Sequence, residues 1–162
     1  MKTNRIDYTL LVVRLFLGIV VAAHGAQKLL GWFGGYGFDG TMGFFTEVIG
    51  LSYITALAII LLESAGMIVL ALGLFSRFLS GSLIVIMIGA ILTTHSQHGF
   101  FMNWSGTQAG EGFEFHLLII ALSIVIMING AGALSLDAMI FRKRSLVEDS
   151  LRGLRSANMK VL

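Results

Sequence analysis

The sequence predicts an all-α integral membrane protein: a four-helix bundle with two Gly- and aromatic-rich outer loops and a basic amphipathic C-terminal tail. Three observations carry this expectation. Hydrophobic residues make up 56% of the 162-residue chain and charged ones 12%, and the mean hydropathy is +0.88, far from the balance of soluble proteins. Four apolar stretches, near residues 8–30, 51–75, 78–94 and 115–136, reach the roughly 17 to 25 residues that a helix needs to cross the hydrocarbon core. Lys2, Arg5, Arg77, Arg142, Lys143, Arg144, Arg152, Arg155 and Lys160 fall on one side of a four-pass chain and Lys28 on the other. Basic residues collect in cytoplasmic segments, so both termini are expected in the cytoplasm.

Each element follows in order. The first stretch is too long for a signal sequence, contains Arg14, and lacks a small-residue cleavage pattern, so it is expected to stay as a helix. After it comes GWFGGYGFDGTMGFFTEVIG (31–50), in which no Gly-Lys-Ser/Thr completes a phosphate loop. A surface-lying or re-entrant segment is expected there, with Phe44, Phe45 and Val48 entering the interface. The second stretch is interrupted by Glu63; the third and fourth are clean. The connection HSQHGFFMNWSGTQAGEGFEFH (95–116) resembles the first in character, and Trp32 and Trp104 suit the headgroup layer. Residues 1–137 form the expected transmembrane domain and 138–162 a cytoplasmic tail. In that tail Val147, Leu151, Leu154 and Val161 share one helical face suited to an anionic leaflet. The chain has no cysteine, which excludes a disulfide framework, Cys-ligated metal or a thiol relay of its own.

At 100° of rotation per residue, Arg14, Gly18, Val21, His24, Gly25 and Lys28 share one face of the first helix. Ser52, Thr55, Ala56, Glu63, Gly66, Leu70, Gly73 and Arg77 share a face of the second. Small residues let helices approach and ionisable ones avoid lipid, so these faces should meet inside the bundle. Glu63 falls near the midplane, where an ion costs about 3 kcal/mol on insertion scales. It is expected either to hold Arg14 as an interhelical clamp or to act as a protonatable group in a cavity. Arg14, His24, Lys28 and Glu63 are the candidate ligand-binding residues, with Glu63 and His24 as candidate proton-exchanging, catalytic groups.

The histidines all fall toward the outer side. His95, His98, His116 and Glu114 are a candidate metal set, and two of the histidines a candidate haem pair. No pair has the His-x-x-x-His or Glu-x-x-His spacing that puts two ligands on one helical face, and His95 and His98, three apart, fall where the helix is expected to end; interfacial hydrogen bonding is the competing use. No Ser/His/Asp constellation is legible.

These residues form a pattern: Arg14-Leu15-x-Leu17-Gly18, then His24-Gly25-x-x-Lys28-Leu29 and Gly31-Trp32-Phe33-Gly34. Glu63-x-x-Gly66…Gly73-x-x-x-Arg77, Gly99-Phe100-Phe101-x-Asn103-Trp104 and Glu114-Phe115-x-Leu117-Leu118 follow. In order and spacing the pattern resembles the DoxX family of small four-helix bacterial membrane proteins, from about Arg14 to Asp137. The resemblance implies an inner (plasma) membrane location and a group described as oxidoreductases, with relatives in a thiosulfate:quinone oxidoreductase and in thiol-stress complexes. It supplies no agreed catalytic residue.

Two functional expectations result. One is a quinone-linked redox subunit, with quinone as the candidate cofactor and haem or metal behind it; Arg14 and Lys28 would stabilise anionic oxygen while His24 or Glu63 exchanges protons. The other is a non-catalytic scaffold that assembles a redox or stress complex. The expected partners are the lipid bilayer, redox-enzyme proteins and further copies of the chain, and not nucleic acid.

Overall fold

The computed structural model describes residues 5–140, and the tail helix expected within 138–162 lies almost wholly outside them. Among the described residues all regular structure is helical. We label the principal helices α1 (Arg5–Leu30), α2 (Gly37–Gly43), α3 (Tyr53–Ala71), α4 (Ser76–His98) and α5 (Glu114–Asn129). Helices α1, α3 and α4 are long and apolar enough to cross a membrane.

Helix α5 is apolar but has 16 residues, about 24 Å at 1.5 Å per residue. The expected span 115–136 is therefore cut short. Its apolar composition continues, but Gly130 takes φ 86° and Gly132 φ 71°, backbone conformations open to glycine that end the helix. The chain then folds back beneath α1, where Ala133 N donates to Asp7 O at 3.0 Å. The second expected span stops early for a similar reason. Gly73 at φ 75° and Phe75 at φ 52° make a tight turn into α4.

Helix α3 begins under a side-chain cap, Ser52 Oγ accepting from Thr55 N at 3.2 Å. Midway, Leu62–Gly66 widens into a π turn. Ser64 Oγ donates to the Ile60 carbonyl at 2.6 Å there, one turn back along the helix.

Helix α1 packs along α3, α4 packs along α5, and α5 also touches α1. The shared core contains Leu17, Val21, Met67, Leu70, Leu83 and Ile126. The segment expected to lie on the surface or re-enter is built around α2. Its Met42 is buried against Ala56 and Ile60 of α3, with Phe45 packed beside them. Phe44 and Val48 are exposed.

Arg14 requires a correction, because it does not hold Glu63. Gly18 lies against Met67 and Ala71, and Gly25 against Glu63 and Ser64, so α1 and α3 run antiparallel with Arg14 far below the acid. Eleven residues of α1, about 16 Å, separate Arg14 from Gly25. Arg14 is 1% exposed. Its Nη1 donates to Ala131 O at 2.7 Å and Nη2 to Leu134 O at 3.3 Å. A cation thereby meets the carbonyls just past the end of α5, where the helix dipole favours positive charge. Asp137 completes this knot by accepting from Phe75 N and Ser76 N, each at 3.0 Å, at the start of α4.

Candidate functional site

The opposite end of the molecule, where the long connections emerge, gathers most of the remaining ionisable side chains. Its position follows from one close approach. A Cβ on Gly25 would run into the Glu63 carbonyl and Ser64 Cα, so only glycine lets α1 press backbone to backbone on the π turn. Three residues further along α1, on nearly the same face, Lys28 forms an ion pair with Glu63. The Glu63 side chain is 3% exposed and that of Lys28 30%, so the acid is sealed while the ammonium still reaches outward. Phe45 closes one side, with its ring centroid 5.9 Å from Lys28 Nζ.

Histidines gather at the same end of the molecule. His24 is exposed, bonded through Nδ1 to Gln27 Oε1 at 3.1 Å, with its ring 5.6 Å from Phe115. His116 is 8% exposed and its Nδ1 has no hydrogen-bond partner. Its ring lies 4.1 Å from that of His95, and His95, Lys28 and His24 all act on it electrostatically. His95 Nδ1 in turn sits 2.8 Å from the carbonyl oxygen of Glu111.

Of the candidate ligand residues, the structure brings Lys28 and Glu63 into contact and His24 close by; Arg14 belongs to the knot at the other end. The candidate metal set does not assemble. Among the described residues no three His, Asp or Glu side chains converge. His98 lies against Gly110, and Glu114 Oε1 accepts from Trp104 Nε1 at 3.0 Å. Sequence reasoning did not connect His116 with Lys28, which acts on it electrostatically. Its position at the start of the fourth apolar stretch was the available signal, but helical angles within one helix say nothing about which helix it faces.

An open groove of about 440 Å³ runs along another face of α1, lined by Ile19, Ala22, Ala26, Leu30, Phe33 and Ala65 among others. None of His24, Lys28, Glu63 or His116 lines it. It is an apolar surface suited to acyl chains and is separate from the polar cluster.

Fold and site together define a small helical membrane protein that holds a buried acid–base pair near one end. The chain belongs to the DoxX family, whose model matches residues 9–96. It is 30% identical over 132 residues to the Bacillus subtilis (strain 168) protein named "Putative oxidoreductase CatD", a similarity covering 82% of this chain and 87% of that protein. No solved structure matches it.

Proposed function

We propose that the protein binds a quinone-class redox molecule beside the Lys28–Glu63 pair and serves as the membrane subunit of a redox complex. The observation that carries this is the ion pair, an acid sealed from solvent whose basic partner remains reachable. A carboxylate in such a place is costly unless it has work to do or a partner to hold, and intramembrane ionisable groups mark functional sites. The relative named as an oxidoreductase supports the same direction.

The chemistry suits the residues. Reduction of a quinone takes two electrons and two protons, and negative charge gathers on its ring oxygens. The Lys28 ammonium would stabilise that oxygen, and Glu63 and His24 would exchange the protons, while a partner redox protein would supply the electrons. Phe45 and Phe115 offer flat apolar walls to a ring. Arg14 has no part in it.

The same proposal includes a four-pass bundle in the bacterial inner membrane, with α5 as the short fourth span and both termini in the cytoplasm. A short apolar helix is accommodated by local thinning of the bilayer. The test is native mass spectrometry of gently solubilised protein. A quinone mass should accompany the wild type and disappear in Glu63→Gln and Lys28→Met. Wild-type chains carrying only ordinary phospholipid would sink the proposal and leave a scaffold.

A further inference from the structure

The chain between α1 and α3 leaves the bundle and returns to it with a small core of its own. Gly31, Phe33, Gly34 and Gly37 take φ 72°, 52°, 78° and 69°, and Gly50 beyond the far end takes φ 78°. Such left-handed backbone is strained for a side chain and open to glycine, so glycines bound the segment on both sides. Between them α2 runs directly into the π turn Phe44–Val48. Gly35 packs so closely on the Gln27 backbone of α1 that a Cβ would clash there. That contact pins the near end and leaves α2 beyond it.

The hold on α2 is apolar. Met42, 7% exposed, enters a cluster with Ala56 and Ile60 that is separate from the main core, and Phe45 packs around it. The polar bonds stay local. Thr46 Oγ1 donates to Met42 O at 2.9 Å, Ile49 N to Phe44 O at 3.1 Å and Leu51 N to Phe45 O at 2.9 Å. A unit bonded within itself and attached through a satellite cluster can open without unfolding the bundle, because few apolar contacts are lost. Phe45 also brings the segment to the ion pair, its ring centroid 5.9 Å from Lys28 Nζ. Asp39, Glu47 and Val48 are exposed, which leaves room for an outward swing.

We infer that residues 37–49 form a lid over the Lys28–Glu63 pair, hinged at Gly37 and Gly50 and latched by Met42. When it is closed, Phe45 covers Lys28 and the acid stays sealed at 3% exposure. When it opens, water or a ligand reaches the pair from the side of α2. Access is then set by the opening equilibrium, and a ligand that needs the open state binds with an affinity reduced by the fraction open. This inference rests on reading the ion pair as a site and adds the element that controls entry to it.

The test uses the full-length protein in lipid nanodiscs with no quinone added. Two rates are compared: hydrogen exchange of the 38–49 amides, and the joining of Lys28 to Glu63 as an amide cross-link by a water-soluble carbodiimide, read by peptide mass. The reagent must reach the sealed carboxyl to act. Met42→Ala removes the latch and should raise both rates together, by about tenfold or more. Gly50→Ala meets no neighbour with its Cβ but penalises the backbone that the closed state requires, so it should raise both about fivefold. Gly43→Ala, inside the lid at helical φ −58°, should accelerate neither. Amides of Met67–Ala71 in α3 should be unchanged throughout. Unaltered rates in folded variants, or faster exchange of 38–49 without faster cross-linking, would overturn the lid. Acceleration that includes the α3 amides would overturn it too, since the opening would then be global. If Met42→Ala does not fold, Gly50→Ala decides alone. Because no quinone enters, any of these failures leaves the ligand proposal standing, whereas a missing quinone mass with a working lid removes the ligand alone.

Discussion

Gly25 of α1 lies backbone to backbone against Glu63 of α3, and this contact sets the register of the polar site. It brings Lys28 level with the acid and leaves Arg14 level with Gly73, where a Cβ would strike the guanidinium. Gly25→Ala is therefore expected to force the two helices apart and destabilise the protein by about 3 kcal/mol, the upper part of the overpacking range. Gly43→Ala is the control. That glycine has helical φ −58° and nothing near its Cβ, so alanine should be neutral or stabilise by up to about 1 kcal/mol. Thermal unfolding in mild detergent checks both, and equal effects at the two positions would contradict the register.

The ion pair makes its own prediction. Breaking it from one side leaves a charge buried without its partner, which costs about 3 to 5 kcal/mol. Lys28→Met should fall at the low end, because Lys28 keeps 30% exposure and water reaches the site. Glu63→Leu alone should also destabilise. The double variant should recover most of the loss, since an apolar pair of similar volume replaces both ions. A double-mutant cycle on unfolding measures the coupling, and simple additivity would mean that the pair contributes nothing to stability.

Much of this architecture was legible in the sequence because it depends on composition. Long apolar runs and the glycine-bearing face of α1 require no knowledge of neighbours. Arg14 and Glu63 show where that stops. Helical angles place both on inward faces, but their relative depth depends on the turn between the helices and on the π turn at Leu62–Gly66. Hydropathy likewise overran the end of α5, because Ala131, Ala133 and Leu134 remain apolar while Gly130 changes the backbone. In the α2 segment the glycines announced a turn-rich chain, but nothing local showed that Met42 provides an anchor into α3. The His116–His95 contact joins residues 21 positions apart on two helices, and nothing local announces it.

Arg14 should prove structural. Arg14→Met leaves the buried Ala131 carbonyl without its donor, at about 1 to 3 kcal/mol, and adds less at Leu134, whose bond is only partly buried. Arg14→Lys should keep the charge but lose the forked geometry, with an intermediate effect. Bound quinone per folded molecule, read by native mass spectrometry, should be unchanged in both variants. A loss of ligand in a stably folded Arg14→Lys protein would return Arg14 to the site.

The shortness of α5 can be resolved by labelling. Near its start, Phe115 meets His24 of α1, and just past its end the Ala131 carbonyl meets Arg14. The helix therefore runs beside α1 through the same layer, even though its 16 residues are fewer than a typical span. If α5 crosses, residues 105 and 139 lie on opposite sides of the membrane. The chain has no cysteine, so Ser105→Cys and Met139→Cys each introduce a single reporter at an exposed position. A membrane-impermeant maleimide on intact cells should label Ser105→Cys directly and Met139→Cys only after permeabilisation. Labelling of both from outside would make α5 re-entrant. It would also put the Arg14 knot on the same side as the ion pair, which the antiparallel packing of α1 and α3 does not allow without a second register.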